Sequence, residues 1–133
     1  MNPSDVNWLA VFVAALAGYI LGAVWYNPKV FGNAWMKGLN LNEEELKKGS
    51  VAKVMTLSFV AYLVAAANLA FFLGKDPSLA FSTMAGFLTG FGWVAMFLAI
   101  FYLFENRTMK IYLINAGYAV ITMTLMGFVY GFM

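Results

Sequence analysis

The sequence predicts an all-α integral membrane protein, a four-helix bundle with a short amphipathic interfacial segment between helices 1 and 2. Three observations carry that prediction. Hydrophobic residues make up 63% of the 133 residues and charged residues 11%, against about 45 to 50% and about 25% in a soluble domain. The apolar residues gather into four runs, about 6–26, 51–73, 79–104 and 111–132, each long enough to cross a hydrocarbon core of about 30 Å as a helix. The charged residues fall at run ends or in connections. A single domain of this length cannot hide so much apolar surface inside itself, so the remaining solvent has to be lipid. Strands of a membrane barrel would alternate apolar with polar over about 10 residues, and no such alternation occurs. Residues 1–133 therefore read as one transmembrane domain.

The first run opens on Asn2-Pro3-Ser4-Asp5, where Asn2 can cap, Pro3 suits the first helical position, and Asp5 faces the positive end of the helix dipole. Along it Ala10, Ala14, Gly18 and Gly22 recur every four residues, a stripe that lets another helix approach closely. Beyond it, Lys29, Asn33 and Lys37 alternate with Phe31, Trp35 and Leu39 at helical spacing, which predicts a helix lying in the headgroup plane. Gly32 and Gly38 allow that segment to bend or break. Trp25, Tyr26, Phe31 and Trp35 are the expected interfacial anchors. Residues 42–49 then read as a water-facing linker helix with an Asn42 cap, Glu43–Lys47 and Glu44–Lys48 pairs, and a closing Gly49.

The second run offers Ala61, Ala65 and Asn68 on roughly one face. Asp76-Pro77 repeats the opening device before the third run, which carries Ser82, Gly86 and Gly90 in register. Asn106 is a natural cap for the fourth run, which ends with Gly127 and Gly131 preceded by Thr124. No Pro falls within a run to signal a helix break; Pro3, Pro28 and Pro77 all stand at boundaries. Lipid supplies no apolar driving force between helices, so these small-residue stripes are the expected contacts, within one protomer or between protomers.

Asn68, Asn115, Tyr19, Tyr62 and Tyr118 are the candidate ligand-binding residues. An unpaired amide or phenol in hydrocarbon is costly, so each must bond to another helix or to a polar ligand group in an internal cavity. The absence of Cys and His excludes a disulfide framework, a thiolate nucleophile, a classical zinc site, a haem His and a Ser–His pair, and no cofactor or metal is expected. A formal charge of +2 is too small and too dispersed for nucleic acid. Lys29, Lys37, Lys47, Lys48, Lys53, Arg107 and Lys110 lie on one side of the bilayer and Lys75 alone on the other. That bias puts the first and third connections in the cytoplasm and both termini outside. With Asp5 ahead of the first run and Lys29 behind it, a cleaved signal peptide is not expected.

Gly18-Tyr19-Ile20-Leu21-Gly22, Trp25-Tyr26-Asn27-Pro28, Phe31-Gly32 and Trp35-Met36-Lys37, with Asn106-Arg107 and Ile114-Asn115-Ala116-Gly117-Tyr118 later on, resemble the signature of a family of small four-helix prokaryotic membrane proteins catalogued as a domain of unknown function. The resemblance spans nearly the whole chain. It implies the same architecture in the prokaryotic cytoplasmic membrane and brings no reaction, substrate or catalytic residue.

The leading expectation is a non-enzymatic membrane protein that acts through helix packing, as a homo-oligomer, as the subunit of a partner membrane protein, or as a binder of lipid-like molecules. Small-molecule transport is the alternative, by analogy of size with four-helix multidrug transporters. Those carry a membrane-embedded Glu in the first helix, and this chain has no carboxylate between Asp5 and Glu43. A membrane enzyme would have to draw on Glu105 and Arg107.

Overall fold

A computed structural model describes residues 2–133, which form seven α-helices and no strand among them: α1 Trp8–Trp25, α2 Asn33–Gly38, α3 Glu43–Leu46, α4 Val51–Leu73, α5 Leu79–Thr89, α6 Met96–Phe104 and α7 Met109–Phe132. Four helical stretches are long and apolar enough to cross a membrane: α1, α4, the continuous Leu79–Phe104, and α7. The four expected runs coincide with these four stretches to within two residues at either end.

Asn42 caps α3, and α4 and α5 begin at Val51 and Leu79, all as expected, but other caps differ from the sequence reading by a few residues. Asn2 caps only a 3-10 turn, Pro3–Asp5, and α1 begins after Asn7, whose Oδ1 accepts from the Ala10 N–H at 3.1 Å. Ser78, not Asp76, caps α5, and Thr108, not Asn106, caps α7. Asp76 and Asn106 instead adopt left-handed backbone, φ 50 and 55, the conformation short polar side chains tolerate best after glycine. They turn the chain so that the next hydroxyl can cap.

The connection between the first two spans also differs in detail. A π-helical turn, Pro28–Gly32, runs directly into α2. Gly32 is required there because a Cβ would run into the Tyr26 carbonyl, while Gly38 lies directly against the end of the Ile111 side chain of α7. The two glycines thus let the segment fold back tightly against the bundle. The linker helix is a single turn, α3, ending before Lys47. Glu43–Lys47 and Glu44–Lys48 form no ion pairs, and Arg107–Glu105 is the one ion pair among the described residues. Exposed pairs of that kind contribute about 0 to 1 kcal/mol, too little to extend a helix.

The third span carries a feature the sequence did not signal. Gly90–Ala95 widens into π-helix between α5 and α6. At the end of that stretch the Tyr112 hydroxyl donates to Ala95 O at 3.0 Å and ties it to α7.

Helix α7 is the centre of the bundle, with α5 antiparallel along one side, α1 along another, and α4 packed mainly on α1. The α5–α7 seam is close because its residues are small. A Cβ on Gly86 would strike the Met123 carbonyl, one on Gly127 the Ser82 carbonyl, one on Gly90 would lie 2.9 Å from Val120 Cα, and one on Gly131 2.7 Å from Ser82 Cβ. Ser82, fully buried, donates its hydroxyl proton to Gly127 O across this seam. On α1, Ala10, Ala14 and Gly18 are buried beneath α4 and α7, alongside Ala66, Ala70 and Met126. The small-residue stripes of α1, α5 and α7 are consumed inside one chain, whereas Ala61 and Asn68 of α4 are exposed. At the end bearing the termini, the Tyr130 hydroxyl accepts from the Asn7 N–H at 3.1 Å and donates to Gly74 O at 3.2 Å. Gly74 closes α4 at φ 72 and ψ −150, a region open essentially to glycine alone.

Gly127→Ala should destabilise the bundle by about 1 to 3 kcal/mol through overpacking. Gly92→Ala, where nothing lies within 4 Å, should be neutral or stabilising by about 0.5 to 1 kcal/mol. Thermal unfolding in detergent reads both, and equal effects would contradict the seam.

Candidate functional site

The site lies at the other end of the bundle, where α1 has no side chains at Gly18 and Gly22. Tyr62 of α4 and Tyr118 of α7 fill that space, and a Cβ on Gly22 would stand 2.8 Å from the Tyr118 hydroxyl and 2.9 Å from that of Tyr62. Tyr118 donates to Gly18 O at 2.7 Å. A phenol has one proton, so in the Tyr62–Tyr118 hydroxyl pair Tyr62 is the donor. Three helices are joined through one oxygen.

A second set of bonds lies one turn closer to the connections. Tyr26 donates to Asn115 Oδ1 at 2.6 Å, Asn115 Nδ2 donates to the Tyr102 hydroxyl at 2.7 Å, and Trp25 Nε1 donates to Ile114 O at 3.0 Å. The rings bind the two sets together: Tyr26 lies 5.4 Å from Tyr118 and 5.2 Å from Trp35, and Trp25 lies 4.6 Å from Phe31, centroid to centroid. Such aromatic pairs contribute about 0.5 to 1.5 kcal/mol each beyond the area they bury.

Against this wall opens a cavity of about 560 Å³. Tyr19, Gly22 and Ala23 of α1 form one side, Val54, Met55, Ser58 and Tyr62 of α4 the other, and Tyr26, Asn27, Pro28 and Trp35 its end. Val54 and Met55 are exposed, so the cavity reaches the molecular surface between α1 and α4. It exists because Gly22 and Ala23 stand opposite large rings, which leaves space the backbone cannot close. Beyond Trp35 lies a smaller cavity of about 280 Å³, which shares Tyr26, Pro28 and Trp35 and is also lined by Glu43 and Lys47. Among the described residues no group of His, Cys, Asp and Glu could hold a metal ion.

The structure brings Tyr19, Tyr62, Tyr118 and Asn115 together, Tyr19 by edge-on ring contact with Tyr62 at 6.0 Å. Asn68 stands apart. It is exposed on the outer face of α4 and takes part in none of the side-chain hydrogen bonds among the described residues. Trp25 and Tyr26, expected as interfacial anchors, also tie α1 to α7. Ser58, Asn27 and Tyr102 were not singled out from sequence. Tyr102 carried a usable signal, since an antiparallel hairpin closed at 105–108 brings position 102 beside the first turns of α7. The Glu105–Arg107 pair is exposed, with Arg107 over the Tyr102 ring at 5.5 Å, and lies outside the cavity.

A family model described as "Protein of unknown function (DUF1761)" matches residues 9–131. No curated protein and no solved structure matches the chain.

The proton accounting at Gly18 fixes an order of stabilities. Tyr62→Phe removes one bond and should cost about 0.5 to 1.5 kcal/mol, whereas Tyr118→Phe removes two and leaves the half-buried Tyr62 donor without its partner, which should cost about 2 to 4 kcal/mol. Denaturation of both variants in detergent tests this. Equal losses would mean that Tyr118 is not the shared oxygen.

Proposed function

From the membership of this chain in the DUF1761 family of proteins of unknown function, we propose that this multi-pass membrane protein is a non-enzymatic binder of a lipid-like molecule, held in the cavity between α1 and α4. The observation that carries this reading is the cavity of about 560 Å³ itself, apolar along Val54, Met55 and Ala23 and lined by phenol groups at its inner wall. Ligand sites generally combine a mostly apolar lining with a few fixed polar groups, in volumes of about 300 to 1,000 Å³. The opening beside Val54 and Met55 suits an acyl or isoprenoid chain entering sideways from the bilayer. The hydrogen-bonded wall suits its polar head.

Orientation follows the basic residues, seven of which lie at the cavity end. On the positive-inside rule that end faces the cytoplasm, the cavity serves the inner leaflet, and both termini lie outside, in a prokaryotic cytoplasmic membrane. A homo-oligomer or a partner membrane protein would have to use surfaces other than the small-residue stripes of α1, α5 and α7, which the bundle already occupies, such as the exposed Ala61 and Asn68 face of α4. Transport, the alternative, gains one supporting observation in the π-helical stretch Gly90–Ala95, a kind of irregularity frequent at functional sites. That stretch contributes no residue to the cavity.

Native mass spectrometry of protein taken directly from its membrane should show a retained lipid-like mass. Ala23→Trp, which fills the cavity from a partly open face without touching the hydrogen-bonded wall, should abolish that mass while leaving thermal stability intact. Retention equal in both proteins, or absent in both, would overturn the reading.

A further inference from the structure

We infer that the cavity selects an organic cation, an ammonium or quaternary ammonium head carried on an apolar chain; this rests on the cavity being a ligand site. The argument starts from protons. Tyr62 gives its only hydroxyl proton to Tyr118, which has given its own to Gly18 O, and Tyr26 gives its proton to Asn115. The Tyr62 and Tyr26 oxygens at the cavity wall therefore keep lone pairs and have no proton left for a ligand. They accept and cannot donate.

The rings present the same polarity. Tyr19 stands at 89° to Tyr62 with centroids 6.0 Å apart, and Tyr26 at 68° to Trp35 with centroids 5.2 Å apart. Two pairs of steeply inclined aromatic rings line one space that opens to the surface between α1 and α4, and aromatic faces are the surfaces that attract a desolvated cation. An anionic head would meet the Tyr26 and Tyr62 lone pairs, and the donors left to it in the lining are neutral, the Ser58 and Tyr19 hydroxyls, the Asn27 amide and the Trp35 indole N–H, with no cationic side chain among them.

The charges around the cavity agree. Seven of the eight basic residues sit at this end of the molecule, yet none lines the main cavity. Glu43 lines the smaller cavity beyond Trp35, where Lys47 also lies. The lysines of the connection are exposed, so water and salt screen them over about 8 Å at physiological ionic strength. The desolvated rings and phenol oxygens are not screened in this way.

The test uses the full chain in lipid nanodiscs, titrated calorimetrically with decyltrimethylammonium, decanol and decanoate, with empty nanodiscs as the reference. The cation should bind about tenfold or more tightly than either of the others. Trp35→Leu should lose most of that preference and Trp35→Phe should keep most of it, since only the second retains a ring. Decanol or decanoate binding as tightly as the cation would overturn the inference and leave the lipid-like binder standing. An undiminished preference in Trp35→Leu would also overturn it. No binding above empty discs for any of the three would remove both.

Discussion

A hydroxyl in hydrocarbon has one proton and only the protein to give it to, and the architecture at the connection end follows from that constraint. Tyr118 gives its proton to Gly18 O, so Tyr62 must give its own to Tyr118. In the second chain Tyr26 donates to Asn115, whose amide donates in turn to the Tyr102 hydroxyl. Each bond contributes about 0.5 to 1.5 kcal/mol when made and costs more when one partner is removed. The network therefore specifies which faces of α1, α4 and α7 meet, while Tyr130 does the same at the far end through Asn7 and Gly74. Between the two ends the contact is dispersion across small residues, which lipid does not oppose.

Glycine has two separate uses along this chain. At Gly86, Gly90 and Gly127 the missing side chain is replaced by the neighbouring backbone, and the seam closes. At Gly22 it is replaced by the ends of two tyrosines, whose rings cannot fill the remaining space, and a cavity stays open beside Ala23. The same substitution of nothing for a side chain thus gives tight packing opposite small residues and a ligand-sized opening opposite large ones.

The four spans were legible because composition and run length suffice for them; nothing about the neighbours is needed. The small-residue stripes were legible for the same reason, but whether they pack within or between protomers depends on which helices adjoin, and the chain uses those of α1, α5 and α7 internally. Asn68 and Asn115 look alike in sequence. One lies on the exposed face of α4 and the other at the junction with Tyr26 and Tyr102, a difference set by helix rotation alone. The caps were misplaced because Asn2, Asp76 and Asn106 each precede a better placed residue, Asn7, Ser78 or Thr108, and local turns decide which is used. The widening at Gly90–Ala95 had no separate signal, since Gly90 already served the packing stripe.

The central claim, that a particular class of lipid-like molecule occupies the space between α1 and α4, is tested most directly by photo-crosslinking with photo-methionine in place of the natural methionines. Met55 lines the cavity and is 48% exposed, while Met96 on α6, in the same half of the bilayer, is 39% exposed and lines none of the cavities described, so bulk lipid reaches both residues to a similar degree. After irradiation in the native membrane, adducts at Met96 should reflect the composition of the bilayer and adducts at Met55 should be dominated by one head-group class. The same lipid mixture at both residues would mean that the cavity holds only what the surrounding bilayer happens to supply, and the account of it as a binding site would be wrong.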